Sequence, residues 1–312
     1  MGEPAWLGLG GVPLIPSSQR RRRLGLSLLV SWLLFSSAAV VIVIAAPAPP
    51  ATVAASRVAI TALAWALIAR LRGAGLRLAQ VDRATRRRIW ISGALLGAHF
   101  SLWILSLTLT SVAHGAVLVG LQTLFAGLFG LFLGDRVSWR LAFGVAVALF
   151  GTAILTGSDA GTATLLGDGL AVLAGACSAA YLVVNRGVGH ALPLPTLLAW
   201  VNGVAALTIG GWVLLSGGEV WVPEAGGVEV IAILWLGLGP GLVGHGSMNW
   251  AARSLPVHVV SLTVLLEPAG AAALAWVALG QSFGLEEVLG AALLLVGAGI
   301  SASDQGQVAP PD

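Results

Sequence analysis

The sequence is short of the residues that form a water-soluble surface. Charged residues make up only 9% of its 312 residues, and none of them is lysine. Hydrophobic residues make up 57%, and the mean hydropathy is +0.94. A soluble domain usually carries about 25% charged residues. Because so few charges cannot coat a soluble protein of this length, the sequence predicts a protein embedded in lipid.

Several chemical classes of protein are disfavoured in the same way. The single cysteine, Cys177, excludes a disulfide framework and a multi-cysteine metal site. Neither a Gly-x-Ser-x-Gly elbow nor a His-Glu-x-x-His motif is present. The pI is near 10.4, but the net charge is only +3 and the arginines are spread over helix ends. We therefore expect no catalytic activity, no cofactor, no resident metal and no nucleic-acid partner.

Long apolar stretches recur along the whole chain. A helix needs about 20 mainly apolar residues to cross the hydrocarbon core of a bilayer. The stretches predict an all-α membrane protein of about ten transmembrane helices, at 24–45, 52–70, 89–110, 113–133, 139–157, 166–185, 196–215, 230–252, 257–278 and 287–303.

The arginines predict the orientation of these spans. Arg20–Arg23 precede the first span, which places that end in the cytoplasm under the positive-inside rule. With this choice 15 of the 16 arginines fall on the cytoplasmic side, and Arg57 is the exception. We expect a multi-pass protein of the plasma (inner) membrane with both termini cytoplasmic. A signal peptide ending near 46–48 is the alternative, but its apolar region would span only about 7–15 residues.

The chain also matches itself when it is shifted by 146 positions. The shift places Gly93 on Gly239, His99 on His245 and Ser101 on Ser247, and it pairs further glycines, namely Gly134 with Gly280, Gly144 with Gly290 and Gly151 with Gly297. Each copy holds five predicted spans, so the second copy enters the membrane from the opposite side. The predicted organisation is a tail at 1–23, repeats at 24–157 and 166–303, and a tail at 304–312. Inverted repeats of this kind are typical of transporters.

The closing helices of each predicted repeat resemble a known family. Leu266-Glu267-Pro268 to Gly280, followed by Gly290 to Gly297, is similar to the end of an EamA-type domain of the drug/metabolite transporter superfamily. The segment from Leu121-Gln122 through Leu133-Gly134-Asp135 is its counterpart in the first half, and Arg57 also fits the family pattern. Gln281 departs from it, because the family often has an acid there, and a Pro often follows the position of Gln122.

The resemblance covers about residues 24–303. It implies ten helices as two inverted five-helix repeats, with a central cavity lined mainly by the first four helices of each repeat. Members export amino acids and other metabolites, or carry nucleotide sugars and sugar phosphates.

Glu267 is the one acidic residue deep within a predicted span. Ionisable groups at membrane depth usually face a cavity or a partner, and Pro268 beside it loosens the local helix. Glu267 is predicted to bind a proton or a substrate ammonium; the alternative is a structural hydrogen bond to a neighbouring helix.

Other polar residues at membrane depth are candidates for the same site. His99 and His245 either relay protons or bond backbone carbonyls across helices as neutral rings. Gln122 and Asn249 offer hydrogen bonds, whose alternative role is to hold helices together.

Two more side chains and one segment complete the candidates. Trp103 either stacks on a substrate or faces lipid, and Arg57 is either an anion clamp or a snorkelling anchor. Gly239 and Pro240, like Pro268, are candidate hinge residues; the alternative is that the glycines allow close backbone packing.

These observations predict a transporter. We expect export of amino-acid-like or amphipathic metabolites by alternating access, in a lipid bilayer and with protons as a possible coupling ion. A carrier of an anionic metabolite is the alternative, and an intramembrane enzyme is a more distant one. A channel would need a filter or a ring of charges, which the sequence does not contain.

Overall fold

A computed structural model describes the chain over residues 17–44, 48–76, 78, 81–106, 109, 118–135, 138–156, 164–189, 191–215, 226–279 and 284–303. These residues are helical apart from short connections, and no strand occurs among them. Residues 1–16 of the predicted N-terminal tail, the predicted C-terminal tail at 304–312 and Gln281 lie outside the described residues.

The described residues form ten helical segments, which we label in chain order. They are α1 (Ser17–Ile44), α2 (Pro50–Leu71), α3 (Arg83–Ser106), α4 (Gln122–Gly130, continued by a 3-10 turn at Leu131–Leu133), α5 (Trp139–Thr156), α6 (Leu165–Val188), α7 (Leu194–Leu215), α8 (Gly227–Ala252), α9 (Val257–Leu265 and Glu267–Leu279) and α10 (Leu285–Ala302). Five of them, α2, α3, α6, α7 and α8, are long and apolar enough to cross a membrane. Shorter apolar stretches lie in α4, α5, α9 and α10.

The first and third helices begin earlier than the apolar pattern predicts. α1 begins at Ser17, because Arg20–Arg23 extend it with exposed side chains and arginine is a good helix former. α3 begins at Arg83, after Asp82, whose Oδ1 accepts a hydrogen bond from the Thr85 amide at 2.9 Å. The hydrogen bonds from Thr85 lower the pKa of the Asp82 carboxyl, and they satisfy an amide that the helix leaves free.

The helices expose apolar side chains and bury polar ones, the reverse of a soluble protein. Leu63 is 72% exposed and Phe132 is 85% exposed, whereas Arg57 is only 3% exposed. This distribution suits a bundle surrounded by hydrocarbon. The buried polar side chains include Ser31, Ser36, Thr61, Ser92, His99, Gln122, Asn185, Asn202 and Asn249.

One end of the bundle carries most of the described arginines, and we call it the arginine-rich end. Here α1, α3 and α7 begin and α2, α6 and α8 end. Arg88 donates to the Gly187 carbonyl at 2.8 Å, the Trp200 indole donates to the Leu76 carbonyl at 3.0 Å, and Arg253 donates to the Leu192 carbonyl at 3.0 Å. Helix termini from both halves of the chain are therefore tied together at this end.

Helices α8 and α9 are irregular at the positions where the sequence predicts hinges. Residues Gly237–Gly244 of α8 form a π-helix that contains Pro240. Thr61 donates to the Gly237 carbonyl at 2.8 Å, and Ser31 donates to the Gly244 carbonyl at 2.9 Å. α9 breaks at Leu266, just before Glu267 and Pro268, because proline has no amide to continue the helical hydrogen bonds.

The helix limits repeat along the chain. When α5 is shifted by 146 positions, from 139–156 to 285–302, its limits coincide with those of α10. The same shift moves α3 from 83–106 to 229–252, which lies within α8.

The contacts between helices also repeat between the two halves of the chain. α3 packs on α6 and α7, while α8 packs on α1 and α2; α2 packs on α7, and α5 packs on α10. Each of these pairings becomes itself or another observed pairing when every helix is exchanged for the one five places along the chain.

Glycines allow α5 and α10 to cross at backbone contact. A Cβ atom added at Gly144 would lie 2.7 Å from the Gly297 carbonyl oxygen, and one added at Gly151 would lie 2.7 Å from the Gly290 carbonyl oxygen. The 146-residue shift interchanges these two contacts, since it pairs Gly144 with Gly290 and Gly151 with Gly297. Residues with side chains at these positions would push the two helices apart.

Replacing Gly151 with alanine tests this crossing. The added Cβ would lie 2.4 Å from the Leu294 amide nitrogen, so α5 and α10 must separate, and we expect a loss of about 1–3 kcal/mol of stability. Gly203→Ala is the matched control, because nothing lies within 4 Å of its added Cβ. The measurement is thermal unfolding of both variants in the same detergent. Equal unfolding temperatures for the two variants would show that the crossing is looser than described.

Candidate functional site

Arg57 lies in the interior of the bundle, two turns into α2. Its guanidinium carbon is 4.4 Å from the centroid of the Phe100 ring on α3, a cation–π contact. Among the described residues, no oxygen accepts a hydrogen bond from this guanidinium. A buried arginine in this state does not fit a snorkelling anchor, whose charged group would reach the membrane surface.

His99, beside Phe100 on α3, is held by a neighbouring helix. Its Nδ1 lies 2.9 Å from the Ala174 carbonyl oxygen of α6, and because a carbonyl only accepts, Nδ1 carries the proton. The Trp103 ring, one turn further along α3, is parallel to the imidazole with centroids 6.3 Å apart. Trp103 is half-buried and packs against the buried cluster formed by Val119, Ala171 and Ala174, so it belongs partly to the interior.

His245 of α8 also contacts Phe100. The centroid of its ring is 5.9 Å from that of Phe100, 4.8 Å from that of Phe35 on α1 and 6.3 Å from that of Tyr181 on α6. Its Nδ1 is buried and finds no hydrogen-bond partner among the described residues. The two histidines thus both contact the Phe100 ring, on which the Arg57 guanidinium rests.

Glu267 brings the opposite charge to this group. It is half-buried at the start of the second piece of α9, and its carboxylate interacts electrostatically with Arg57. Among the described residues, no ion pair joins their charged atoms directly. The Trp32 indole of α1 donates to the Leu266 carbonyl at 2.8 Å, which holds the break in α9 against α1. Both histidines also interact electrostatically with Arg57.

A ladder of buried hydrogen bonds runs from this group toward the arginine-rich end. The Ser92 hydroxyl of α3 donates to Asn185 Oδ1 at 2.6 Å, and Asn185 Nδ2 donates to Asn249 Oδ1 at 2.9 Å. Asn249 Nδ2 donates to the Tyr181 hydroxyl at 2.6 Å and to the His245 carbonyl at 2.8 Å. Asn249 therefore connects the histidine to α3 and α6.

Gln122 is the one predicted site residue with no described contact to this group. It is 1% exposed at the start of α4, and neither atom of its amide finds a hydrogen-bond partner among the described residues. A Cβ atom added at Gly175 would lie 3.4 Å from the backbone nitrogen of Gln122, and Gly175 follows Ala174, whose carbonyl binds His99. Gln122 is thus adjacent to the site through α6.

The predicted hinge residues lie next to the site. Gly239 and Pro240 belong to the π-helix that ends immediately before His245. A Cβ atom added at Gly237 would lie 3.1 Å from the Arg57 carbonyl oxygen, so the neighbouring glycines allow α8 to approach α2 closely. π-Helical turns are frequent at functional sites. The role of Gly239, Pro240 and Pro268 as hinges stays a prediction.

Four predicted residues, Arg57, His99, His245 and Glu267, come together within one group contributed by α2, α3, α8 and α9. Asn249 and Trp103 contact members of this group. Sequence reasoning missed Phe35 and Phe100, which form its aromatic floor. The shift that pairs His99 with His245 also pairs Phe35 with Tyr181, so the repeat indicated that Phe35 could belong to the site. Phe100 is next to His99 in sequence, but helical geometry alone does not predict its contact with Arg57.

Comparisons with known proteins bear on the second half of the chain above all. Residues 165–303 match the model of the EamA-like transporter family. A solved crystal structure of a protein is 21% identical and superposes with a TM-score of 0.75 over 90% of this chain and 98% of its own, which shows a shared fold. No curated protein matches the chain. Residues 165–303, somewhat less than half of the chain, are therefore similar to the EamA-like transporter family, which is part of the drug/metabolite transporter superfamily.

Proposed function

We propose that this multi-pass membrane protein exports amino-acid-like or amphipathic metabolites by alternating access. The observation that carries the proposal is the pair formed by Arg57 and Glu267. Opposite charges at membrane depth are costly unless they serve a pathway or satisfy each other. These two interact electrostatically, yet no ion pair joins them among the described residues. The charged atoms of Arg57 and of Glu267 can therefore each pair with a charged group of a substrate.

The proposed binding mode follows from the two charges and the rings between them. A substrate carboxylate binds the Arg57 guanidinium, and a substrate ammonium binds the Glu267 carboxylate. An apolar side chain of the substrate packs against Phe35 and Phe100. His99, His245, Gln122 and Asn249 shape the pocket, and Trp103 closes one side of it. Protons are the proposed coupling ion, with Glu267 as the group that binds them.

Alternating access requires two halves that move around a central site. The proposed architecture is ten transmembrane helices in two inverted five-helix repeats, 24–157 and 166–303. Three observations support it: the coincident limits of α5 and α10, the helix pairings that survive exchange of the halves, and the two related glycine contacts. The charged group includes residues of both halves, which is typical of inverted-repeat transporters.

The arginine-rich end is proposed to face the cytoplasm, in the plasma (inner) membrane. Arg20–Arg23 at the start of α1 and Arg83, Arg86, Arg87 and Arg88 at the start of α3 lie at this end. Positive residues concentrate on the cytoplasmic side of membrane proteins. Both termini are then cytoplasmic.

A carrier of anionic metabolites is the second candidate. It is favoured by the Arg57 guanidinium, which donates no hydrogen bond to an oxygen among the described residues. Sites for multiply charged anions usually combine several cationic groups. Within the described bundle, Arg57 is the one arginine among the buried residues, and Glu267 adds a negative charge beside it. The balance of charge therefore favours a zwitterion over an anion.

Replacing Glu267 with glutamine tests the proposed role of the carboxylate. Hydrogen bonds to charged groups are worth about 1.5–3 kcal/mol, so we expect export to fall by about ten- to hundredfold. The measurement is efflux of a panel of amino acids and amphipathic metabolites from cells that contain equal amounts of each protein. Glu229→Gln, at the opposite end of α8 from His245, is the control that removes a carboxylate away from the site.

The panel distinguishes the alternatives. Loss of export in Glu267→Gln but not in Glu229→Gln supports the proposal. Undiminished export in Glu267→Gln would make this carboxylate structural. Export restricted to anions that lack an ammonium group would support the second candidate.

A further inference from the structure

A largely buried ion pair lies at the arginine-rich end of the bundle. Asp135, 3% exposed, follows the 3-10 turn after α4, and its Oδ2 pairs with the Arg186 guanidinium at the end of α6. The same oxygen accepts a hydrogen bond from the Val257 amide, at 3.4 Å, where α9 begins. One carboxylate oxygen thus joins three helices.

The local backbone is built for this contact. Gly134 has a φ of +81°, a conformation that side chains rarely adopt, and it turns the chain so that Asp135 points back toward the bundle. A Cβ atom at Gly130 would lie 2.8 Å from the Asp135 Oδ2 atom, so a glycine is needed there too. Asp135 Oδ1 is buried and finds no hydrogen-bond partner among the described residues. The Arg186 pair is therefore the main compensation for a buried charge.

The ion pair continues the hydrogen-bond ladder toward the site. Asn185, which binds Ser92 and Asn249, immediately precedes Arg186 in α6. The ion pair and the ladder therefore meet at neighbouring residues of α6, and together they extend from the arginine-rich end to Tyr181 and His245. We call this set of residues, Asp135, Arg186, Ser92, Asn185, Asn249 and Tyr181, the polar gate.

The polar gate joins the two halves of the chain. Ser92 and Asp135 belong to the first half, and their partners on α6, α8 and α9 belong to the second. If the halves rock against each other, these are contacts that must break before the site can open to the arginine-rich end. The glycine crossing of α5 and α10, by contrast, is close and mainly apolar, with one long hydrogen bond from Ser301 to the Leu141 carbonyl at 3.4 Å, and it suits a contact that persists.

The sequence does not repeat the polar gate at the positions that the 146-residue shift assigns to the opposite end. The 146-residue shift places five of the gate positions on apolar residues: Ser92 on Leu238, Asn185 on Ala39, Asn249 on Trp103, Tyr181 on Phe35 and Arg186 on Val40. It places Asp135 on Gln281, which has no charge. Between α2, α3 and α7 the opposite end contains a cleft of about 450 Å³ whose lining is mainly apolar, with Ala54, Leu102 and Ile104 among it.

We propose that the polar gate is the barrier between the substrate site and the arginine-rich end, and that its asymmetry makes the substrate-free protein rest with this end closed. The inference rests on the proposed function, because a gate has a role only if the site opens alternately to two sides. Breaking a buried ion pair by removing one partner is strongly unfavourable. At the opposite end the equivalent positions, Gln281 and Val40, cannot form such a pair.

Asp135→Asn tests the gate through the accessibility of two reporter cysteines. In a Cys177→Ser background, Ser178→Cys places a thiol on α6 one turn deeper than Tyr181, and Ser101→Cys places one in the cleft at the opposite end. The measurement is the rate of reaction with a charged methanethiosulfonate reagent in purified protein. We expect Asp135→Asn to raise the Ser178→Cys rate at least about tenfold and not to raise the Ser101→Cys rate.

Two further variants keep the test decisive. Asp82→Asn removes a charge from an exposed carboxylate at the same end and keeps a helix-capping residue, so it should change neither rate. Ser92→Ala breaks one contact of the ladder without leaving a buried charge. Ser92→Ala should also raise the Ser178→Cys labelling rate, but by less than Asp135→Asn does. If Asp135→Asn does not fold, the Ser92→Ala result alone tests the polar gate.

The outcomes separate the gate from the proposed function. Unchanged Ser178→Cys rates in the folded variants would overturn the proposal, and so would equal increases at both reporters, which indicate general loosening. Labelling needs no substrate, so the two proposals are tested separately. The labelling rates can contradict the polar gate while efflux is still observed, or support the polar gate when no exported compound is found.

Discussion

The absence of water from the hydrocarbon core is the constraint on which this structure depends. Every polar group there must find a partner within the protein, which requires helices and makes each unsatisfied group costly. Most buried polar side chains obey this rule, and Ser31 and Thr61 even satisfy carbonyls that the π-helix of α8 presents. Among the described residues, the buried side-chain atoms without a hydrogen-bond partner include those of the Gln122 amide, His245 Nδ1, Trp65 Nε1 and Asp135 Oδ1. The guanidinium of Arg57 rests on Phe100. Groups left with spare hydrogen-bonding capacity inside a lipid-embedded bundle are the ones that a polar substrate would satisfy.

The same constraint gives the two kinds of contact between the halves different roles. At the crossing of α5 and α10 the two helices touch through backbone atoms, at Gly144, Gly151, Gly290 and Gly297. At the arginine-rich end the contacts are polar and directional. Such contacts exist in a made or a broken state, whereas close apolar packing changes little. A fold with one permanent crossing and one breakable polar closure has the parts that a rocking movement needs.

Much of this could be predicted from the sequence because hydrophobic length is a direct signal in membranes. The predicted spans at 139–157 and 196–215 differ from α5 and α7 by two residues or fewer. The start of α1 was less predictable, since arginines extend the helix beyond its apolar run. The break at Leu266 was indicated by Pro268, but the π-helix around Pro240 depends on packing against α1 and α2, which no local pattern contains. The pairing of Asp135 with Arg186 was missed for a similar reason: the arginine also fits a topology signal, and only the fold brings the carboxylate to it.

The central claim is that the charged group around Arg57 binds the substrate, and ligand-induced stabilisation of the purified protein tests it most directly. A ligand that binds only the folded state raises the unfolding temperature with its concentration. Among a panel of metabolites, compounds with both a carboxylate and an ammonium group should stabilise the wild-type protein and Arg70→Gln, whose arginine is exposed at the end of α2. The same compounds should not stabilise Arg57→Gln. Equal stabilisation of Arg57→Gln and the wild-type protein would contradict the claim, because the site would then lie elsewhere in the bundle.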